Sequence, residues 1–492
     1  MPDQAATVAF LSRAEIYGER GSVERIETHI SIIFLVGERA FKLKRAVAFS
    51  YLDFTTLAAR RRNCEAEFRL GQKMAPRLYR ALHTVTREAG GNLMLDGVGK
   101  PIDTVIEMRR FDQDLLFDRL AAQGRLTPEL IRQLADRIAG FHAAADTIAA
   151  ADAVLDTRAT VADIVRNLRA SGRSDPAAVA ALAQRLNASL QANEGLITDR
   201  AGQGKLRHCH GDLHLGNICL LDGEPTLFDP VEFNPAISDI DVLYDAAFAL
   251  MDLVHADCTG HANGLFNRYL DVTGDGGGLA LLPLYLAMRA AIRAHVLGAK
   301  SNRADGYFAL AGRLLDPQPR FLVAIGGVSG TGKSTLAQEL APGLGRAPGA
   351  RIARSDAIRK RLHGVALETR LPAAAYGLDV NRRVYGMLQD EAKTALAAGY
   401  AVVADAAFLD AQERDGIEAV AAAANVTFIG IWLDAPAAIL QERLARRRDD
   451  VSDADAAVLQ SQLRRDLGPI GWHRLSADDT VARVAAKLLA SA

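Results

Sequence analysis

The stretch GVSGTGKST, Gly327 to Thr335, constrains this chain of 492 residues more than any other feature. It fits G-x-x-x-x-G-K-[ST], with Gly327, Gly332, Lys333 and Ser334 at the fixed positions. The apolar run FLVAIGG at 321–327 leads into it and the helix-forming run TLAQELAPGL leads out, so the turn is expected between a strand and a helix. Glycines let the backbone bend until several N–H groups converge on one anion. The helix that follows adds its positive N-terminal end. Val328, Ser329, Gly330, Thr331 and Gly332 then form the cradle, with Thr335 closing its helical side. Lys333 is expected to reach the β- and γ-phosphates and the Ser334 hydroxyl to ligate Mg²⁺, which makes ATP with Mg²⁺ the expected cofactor. A chance glycine-rich turn would lack the flanking strand, the helix and the Lys-Ser pair.

From residue 321 onward strands and helices alternate, which argues for a parallel α/β sheet. Two carboxylates sit at its expected crevice. Asp356, in ARSDAIRKRL, falls just before a helical run. It suits either a base that takes or positions an acceptor hydroxyl or a helix N-cap, shared with Ser355. Asp405 ends the apolar strand AVVAD, where an outer-shell Mg²⁺ role and a turn Asp are both open. Arg443, Arg446, Arg447 and Arg448 lie in ILQERLARRRDD. Arg443 and Arg447 share a helix face at this spacing, either to close over a transferring phosphate or as a solvated basic face. GVSGTGKST, RSDAIRK and VVADAAF together resemble small P-loop kinases of the group that includes gluconate kinase, polynucleotide 5′-kinase and the zeta-toxin-like kinases. The acceptor does not carry over, because members of that group differ in it.

A second constellation lies upstream. HGDLHLGN at 210–217 puts Asp212 five residues before Asn217, and Asp229 follows in TLFDP. Protein-kinase catalytic loops share this H-x-D-x-x-x-x-N spacing with a later metal-binding Asp. The chemistry needs one carboxylate to orient the hydroxyl, and an amide and a second carboxylate to hold Mg²⁺. A polar turn with capping Asp and Asn is the plain alternative. Lys42 and Lys44 in FKLK are two apart, hence on one face of a strand, and Glu67 or Glu65 on the next helix is placed to hold one of them. The lysine choice stays open, with a slight preference for Lys44. Residues 1 to about 315 resemble the aminoglycoside phosphotransferase-like family. The resemblance implies Asp212 as catalytic base, Asn217 and Asp229 as metal ligands, and Lys42/Lys44 with Glu67 as nucleotide clamp. It also implies VIEMRRF at 105–111 as the interlobe hinge that contacts adenine. One departure is that ERIETHIS stands where a glycine-rich loop is expected. The whole chain resembles bacterial proteins that fuse such a domain to a C-terminal P-loop domain.

The expected fold class is therefore mixed α/β and α+β. A bilobal kinase-like domain spans 1–315, with a small lobe to about 108 and a large lobe over 109–315. A linker, DPQPR at 316–320, leads to a P-loop parallel-sheet domain over 321–492. Two to four domains fit a length prior of roughly 100–200 residues each. DVTGDGGG at 271–278 reads as a flexible interruption between helices. The net charge of -1 gives no bulk attraction to nucleic acid or anionic membrane. Cys64, Cys209, Cys219 and Cys258 form no CxxC pair, which fits free thiols in a reducing cytoplasm. No signal-like N-terminus and no membrane-spanning run is expected.

The functional expectation is a kinase that moves the ATP γ-phosphoryl group to a hydroxyl of a small molecule. Two alternatives stand beside it. One is an ATP-binding regulatory module without turnover, which the absent glycine-rich loop favours for the N-terminal half. The other is a polynucleotide 5′-hydroxyl kinase, which the arginine cluster favours and the near-neutral charge disfavours. The oligomeric state is left open.

Overall fold

The computed structural model describes residues 4–49, 52–149, 152–172, 174–297, 303–446 and 451–476. Contacts divide the chain into two units. The first comprises Met1–Leu126, Gly140–Ala151 and Ala201–Ala249; the second comprises Thr127–Ala139, Asp152–Arg200 and Leu250–Ala492. The sequence boundary expected at 316–320 thus lies inside the second unit, whose helices before it group with the C-terminal sheet.

The first unit is built on a six-stranded antiparallel sheet. Its strands are β1 (Glu24–Glu27), β2 (Ser31–Val36), β3 (Arg39–Lys44), β4 (Tyr79–Arg87), β5 (Leu93–Leu95) and β6 (Lys100–Arg109). Their order is β1-β2-β3-β6-β4-β5. Side chains alternate between faces along each strand. Phe34, Phe41, Leu43 and Val105 therefore fill one face, while Leu35, Ala40, Ile106 and Met108 fill the other with Cys64 and Met74 of helix α1 (Leu57–Met74). Thr56 caps α1 by accepting from the Ala59 N–H at 3.1 Å. Lys42 lies opposite Ile106 in register, so it and Lys44 share the α1 face. A hairpin of β7 (Ile218–Leu221) and β8 (Glu224–Leu227) follows the turn-rich segment at 208–217.

The second unit carries a five-stranded, all-parallel sheet. Its strands are β9 (Phe321–Gly326), β10 (Arg351–Arg354), β11 (Val402–Asp405), β12 (Thr427–Asp434) and β13 (His473–Ser476), in the order β10-β11-β9-β12-β13. A parallel sheet covered on its faces needs near-continuous apolar strands. Val323, Ile325, Val403, Ile429 and Ile431 supply them, packed with Leu336, Ala337 and Leu340.

Helix α2 (Thr259–Thr273) lies along the edge strand β10. An edge strand presents unpaired backbone groups, and here side-chain amides satisfy them. Asn267 accepts from the Ile352 N–H at 2.7 Å and donates to Ala350 O at 3.1 Å; Asn263 donates to Ala350 O at 3.0 Å and to Pro348 O at 3.1 Å. Replacing Asn267 with Ala orphans a buried backbone N–H, at a cost of about 1–3 kcal/mol. A lowered urea midpoint is the expected reading, and an unchanged one would show that the edge is satisfied otherwise.

The segment at 271–278, expected to be flexible, is instead anchored at two carboxylates. Asp271 takes the Arg351 guanidinium at 2.6 Å, and buried Asp275 holds buried Arg200 at 2.8 and 2.9 Å. Gly276–Val296 is long and apolar enough to cross a membrane, which the sequence reading did not anticipate. Most of it is buried within the protein, as suits a core helix.

Candidate active sites

In the C-terminal sheet the glycine-rich turn joins β9 to helix α3 (Lys333–Leu340). Gly327 has a φ of 137°, and a Cβ there would lie 2.6 Å from Leu433 O, so only glycine lets the chain leave β9 at this angle. Lys333 folds back across the turn and donates to Val328 O at 3.0 Å, and Thr331 Oγ1 donates to the same oxygen at 2.8 Å. The Ser334 hydroxyl donates to Asp405 Oδ2 at 2.7 Å. Arg354 Nε lies 3.4 Å from that oxygen. Ile325, Arg354 and Asp405 are aligned in register at the C-terminal ends of three adjacent strands. Parallel pairing alone thus gathers turn, hydroxyl, carboxylate and arginine at one end of the sheet.

Asp356 is the second residue of helix α4 (Ser355–Leu362) and is half-buried. The cap position belongs to Arg354, which makes no side-chain cap bond, so neither Ser355 nor Asp356 serves as N-cap. Tyr376 stands near it: burial pushes the phenol up, with the charges of Asp453 and Asp356 adding to the push. Arg359 lies over the Tyr376 ring at 4.6 Å. Lys360 is fully buried and pairs with Asp453 at 2.6 Å. Arg443 is exposed on the helix Ala437–Arg446. Arg447, its expected partner, and Arg448 lie outside the described residues. Arg354, Lys360 and Asp453 are additions that sequence reasoning missed. Spacing offered no signal for the first two, which read as ordinary basic residues, one at the end of a strand and one in the last turn of the helix after it.

In the first unit one carboxylate holds both lysines. Glu67 Oε1 takes Lys42 and Oε2 takes Lys44, each at 2.7 Å. Lys42 also pairs with Asp229, while Lys44 pairs with Glu232 at 2.5 Å. Both lysines thus share Glu67, and Lys42 is the one that meets Asp229. Glu65 is engaged elsewhere, with Arg61 at 2.9 Å. Burial works to raise the Glu67 carboxyl, but the charges of Lys42 and Lys44 outweigh it and hold it at about 2. Burial pushes Glu232 up to about 7 against the pull of Lys44. Sequence reasoning missed Glu232, whose only signal is its place three residues after Asp229.

The catalytic-type loop is held from behind. Asp245 accepts from the backbone N–H of His210 at 3.1 Å and of Gly211 at 2.9 Å, and lies 3.1 Å from His142 Nε2. His210 Nε2 lies 2.8 Å from Phe228 O, which ties the loop to the strand leading to Asp229. Asn217 Nδ2 donates to Asp212 O at 2.9 Å and to Asp212 Oδ2 at 3.0 Å, so Asp212 and Asn217 meet as their spacing implied. Asp229 adopts a φ of 60° and its N–H donates to the Tyr79 hydroxyl at 3.1 Å. Gly211 has a φ of +81°, with Ile237 O 3.0 Å from where a Cβ would stand. Gly211→Ala is expected to destabilise the protein by at least about 1 kcal/mol through the left-handed backbone alone. Urea unfolding followed by circular dichroism checks this.

The β1–β2 connection differs from a phosphate-covering loop. Only Thr28, His29 and Ile30 join the strands. The turn closes on itself, Thr28 N donating to Ser31 O and Ser31 N to Thr28 Oγ1, each at 2.9 Å.

Two family models match successive parts of the chain. The family described as "Phosphotransferase enzyme family" matches residues 57–282, and the one described as "AAA domain" matches 322–466. A relative described as an uncharacterized protein of Mycobacterium tuberculosis is 27% identical over 470 residues, covering 91% of each chain, and a counterpart in Mycobacterium bovis matches equally. Among solved structures, a gluconokinase from Sinorhizobium meliloti is 22% identical, covering 35% of this chain and 90% of its own with a TM-score of 0.25. A choline/ethanolamine kinase family protein from Mesorhizobium loti is 14% identical, covering 63% of this chain and 95% of its own with a TM-score of 0.42.

Proposed function

We propose that this chain, a phosphotransferase-family domain followed by a P-loop AAA-type domain, is an ATP- and Mg²⁺-dependent kinase acting on a hydroxyl of a small molecule. The observation that carries the reading is the Ser334–Asp405 hydrogen bond of 2.7 Å beside Lys333. A hydroxyl and a buried carboxylate at the mouth of an N–H-lined turn are the donor set of a Walker A and Walker B pair. Ser334 would ligate the metal directly and Asp405 would orient its water. Mg²⁺-ATP, when bound, supplies the γ-phosphoryl group and neutralises charge on the phosphates. Lys333 exchanges its bond to Val328 O for the β- and γ-phosphate oxygens. Asp356 takes the proton of the acceptor hydroxyl as its oxygen forms the new bond to phosphorus; the bond to the β-phosphate oxygen breaks and ADP leaves. Arg443 and Arg447 are assigned to closing over the transferred group.

In the N-terminal domain Asp212 would act as base, Asn217 and Asp229 as metal ligands, and Lys42, held by Glu67, as nucleotide clamp. A second reading applies to this half alone: a nucleotide-responsive module without turnover. The self-closed β1–β2 turn and the Lys42–Asp229 pair favour it, since both occupy groups that phosphates would need. A cytoplasmic setting fits the four free cysteines. ATP consumption across sugars, aminoglycosides, nucleosides and 5′-hydroxyl oligonucleotides tests the proposal. Acceptor-stimulated turnover supports a kinase. Tight ATP binding with no stimulation by any acceptor would turn the reading to a regulator, and steeply salt-dependent oligonucleotide binding would revive a nucleic-acid end kinase.

A further inference from the structure

The Gln462 side chain occupies one of the N–H groups of the glycine-rich turn: Ser329 N donates to Gln462 Oε1 at 2.8 Å. Ser329 is the third residue of the turn, and its N–H is one that an incoming phosphate would claim. Gln462 lies on the helix Ala456–Leu463, and that helix is braced at both ends. Before it, Asp453 receives Lys360 at 2.6 and 2.7 Å, the Tyr376 hydroxyl at 2.6 Å and the Leu371 N–H at 2.9 Å. Asp455 caps it by accepting from Ala457 N and Val458 N, and pairs with Arg370 at 2.9 Å. After it, Arg465 donates to both oxygens of Asp410 at 2.7 Å. Asp410 in turn caps the helix Ala411–Ala423 that follows the Asp405 strand. The braces join Gln462 to the Asp356 helix on one side and to the Asp405 side of the crevice on the other.

We propose that Gln462 is a further nucleotide-contacting residue of the P-loop site, accepting from Ser329 when the turn is empty and donating to a terminal phosphate oxygen when ATP is bound. A carboxamide carries an acceptor and a donor at the same reach. Rotation about its last torsion exchanges one for the other, and that torsion is soft. The switch needs no backbone movement, so the braces can stay made throughout. The inference rests on the reading of this turn as an ATP site.

The chemistry makes the variants separable. Glutamate keeps the length and the acceptor but loses the donor and brings a negative charge to the phosphate site. Gln462→Glu is expected to weaken ATP binding by about 10-fold or more, with the loss of a hydrogen bond to a charged group and added repulsion acting together. Alanine removes both competitor and donor. Gln462→Ala is expected to keep ATP affinity within about threefold while kcat falls by roughly tenfold, because the lost donor acts on the transferring group. Isothermal titration with ATP and Mg²⁺ on the full-length chain, with steady-state kinetics on the accepted substrate, reads both. A merely structural Gln462 would lower stability in both variants without separating KM from kcat. Urea midpoints are measured alongside for that reason. Wild-type ATP affinity in Gln462→Glu, or parallel losses of affinity and kcat in Gln462→Ala, overturns the proposal. Lys333→Ala separates the two levels. If ATP binding does not depend on Lys333, the site reading itself fails. If it does and the Gln462 variants behave as wild type, only the present inference fails.

Discussion

Lys333→Ala is expected to lower kcat/KM of the C-terminal phosphoryl transfer by about 10²–10³, the scale of losing one preorganised charged donor at a site of developing charge. The backbone N–H groups of the turn survive the substitution, since the φ angles of Gly327, Gly330 and Gly332 are properties of the loop and not of the lysine. ATP binding should therefore weaken yet stay measurable, and the larger loss should fall on kcat. Ser334→Ala is the companion variant. It removes the hydroxyl that donates to Asp405 and should raise the Mg²⁺ concentration needed for half-maximal turnover. Steady-state kinetics over an Mg²⁺ series reads both. Turnover within twofold of wild type in Lys333→Ala would move the chemistry away from this turn.

Asp212→Asn is expected to remove N-terminal transfer by about 10²–10⁴, the usual weight of a positioned general base. Asparagine keeps the shape and an oxygen that still accepts from Asn217 Nδ2, so the loop between His210 and Asn217 should hold its geometry. The measurement belongs in the Lys333→Ala background, where the C-terminal contribution to turnover is at its lowest. Asp212→Asn in the wild-type background should leave Lys333-dependent turnover intact. Persistence of the residual turnover in the double variant would remove Asp212 from the role of base.

The glycine-rich turn was legible because its requirements are local. Bent backbone, a lysine and a hydroxyl must follow one another within a few residues, and the strand before them and helix after them are themselves local patterns. The same holds for Asp212 and Asn217, whose hydrogen bonds span five residues. Lys42 and Glu67 were harder. Their order along the chain pointed to a pair, but the strand period places Lys42 and Lys44 on one face and so could not choose between them. The pairing of Lys42 with Asp229, 187 residues away, comes only from the packing of the hairpin against the sheet.

Other contacts had no local trace. Gln462 sits 133 residues from Ser329 and reads in the sequence as one polar position on a short helix. Asn267 looks like any helix surface residue until the edge strand it covers is known. Asp271 and Asp275 lie among glycines that suggest mobility, and their arginines, Arg351 and Arg200, come from elements far along the chain. The N-cap reading of Asp356 failed for a related reason: the helix begins two residues earlier than an Asp356 cap would set it, directly from strand β10.

The sequence by itself determined where the glycine-rich turn and the Asp212–Asn217 loop lie and which strands and helices carry them, because those depend on backbone freedom and side-chain period within a few residues. Tertiary structure alone decided which lysine faces Asp229, which amide bonds the glycine-rich turn and which side chains close the sheet edge. These outcomes are set by hydrogen-bond and charge satisfaction between groups distant in the chain, where burial forces each polar atom to find a partner wherever the fold supplies one.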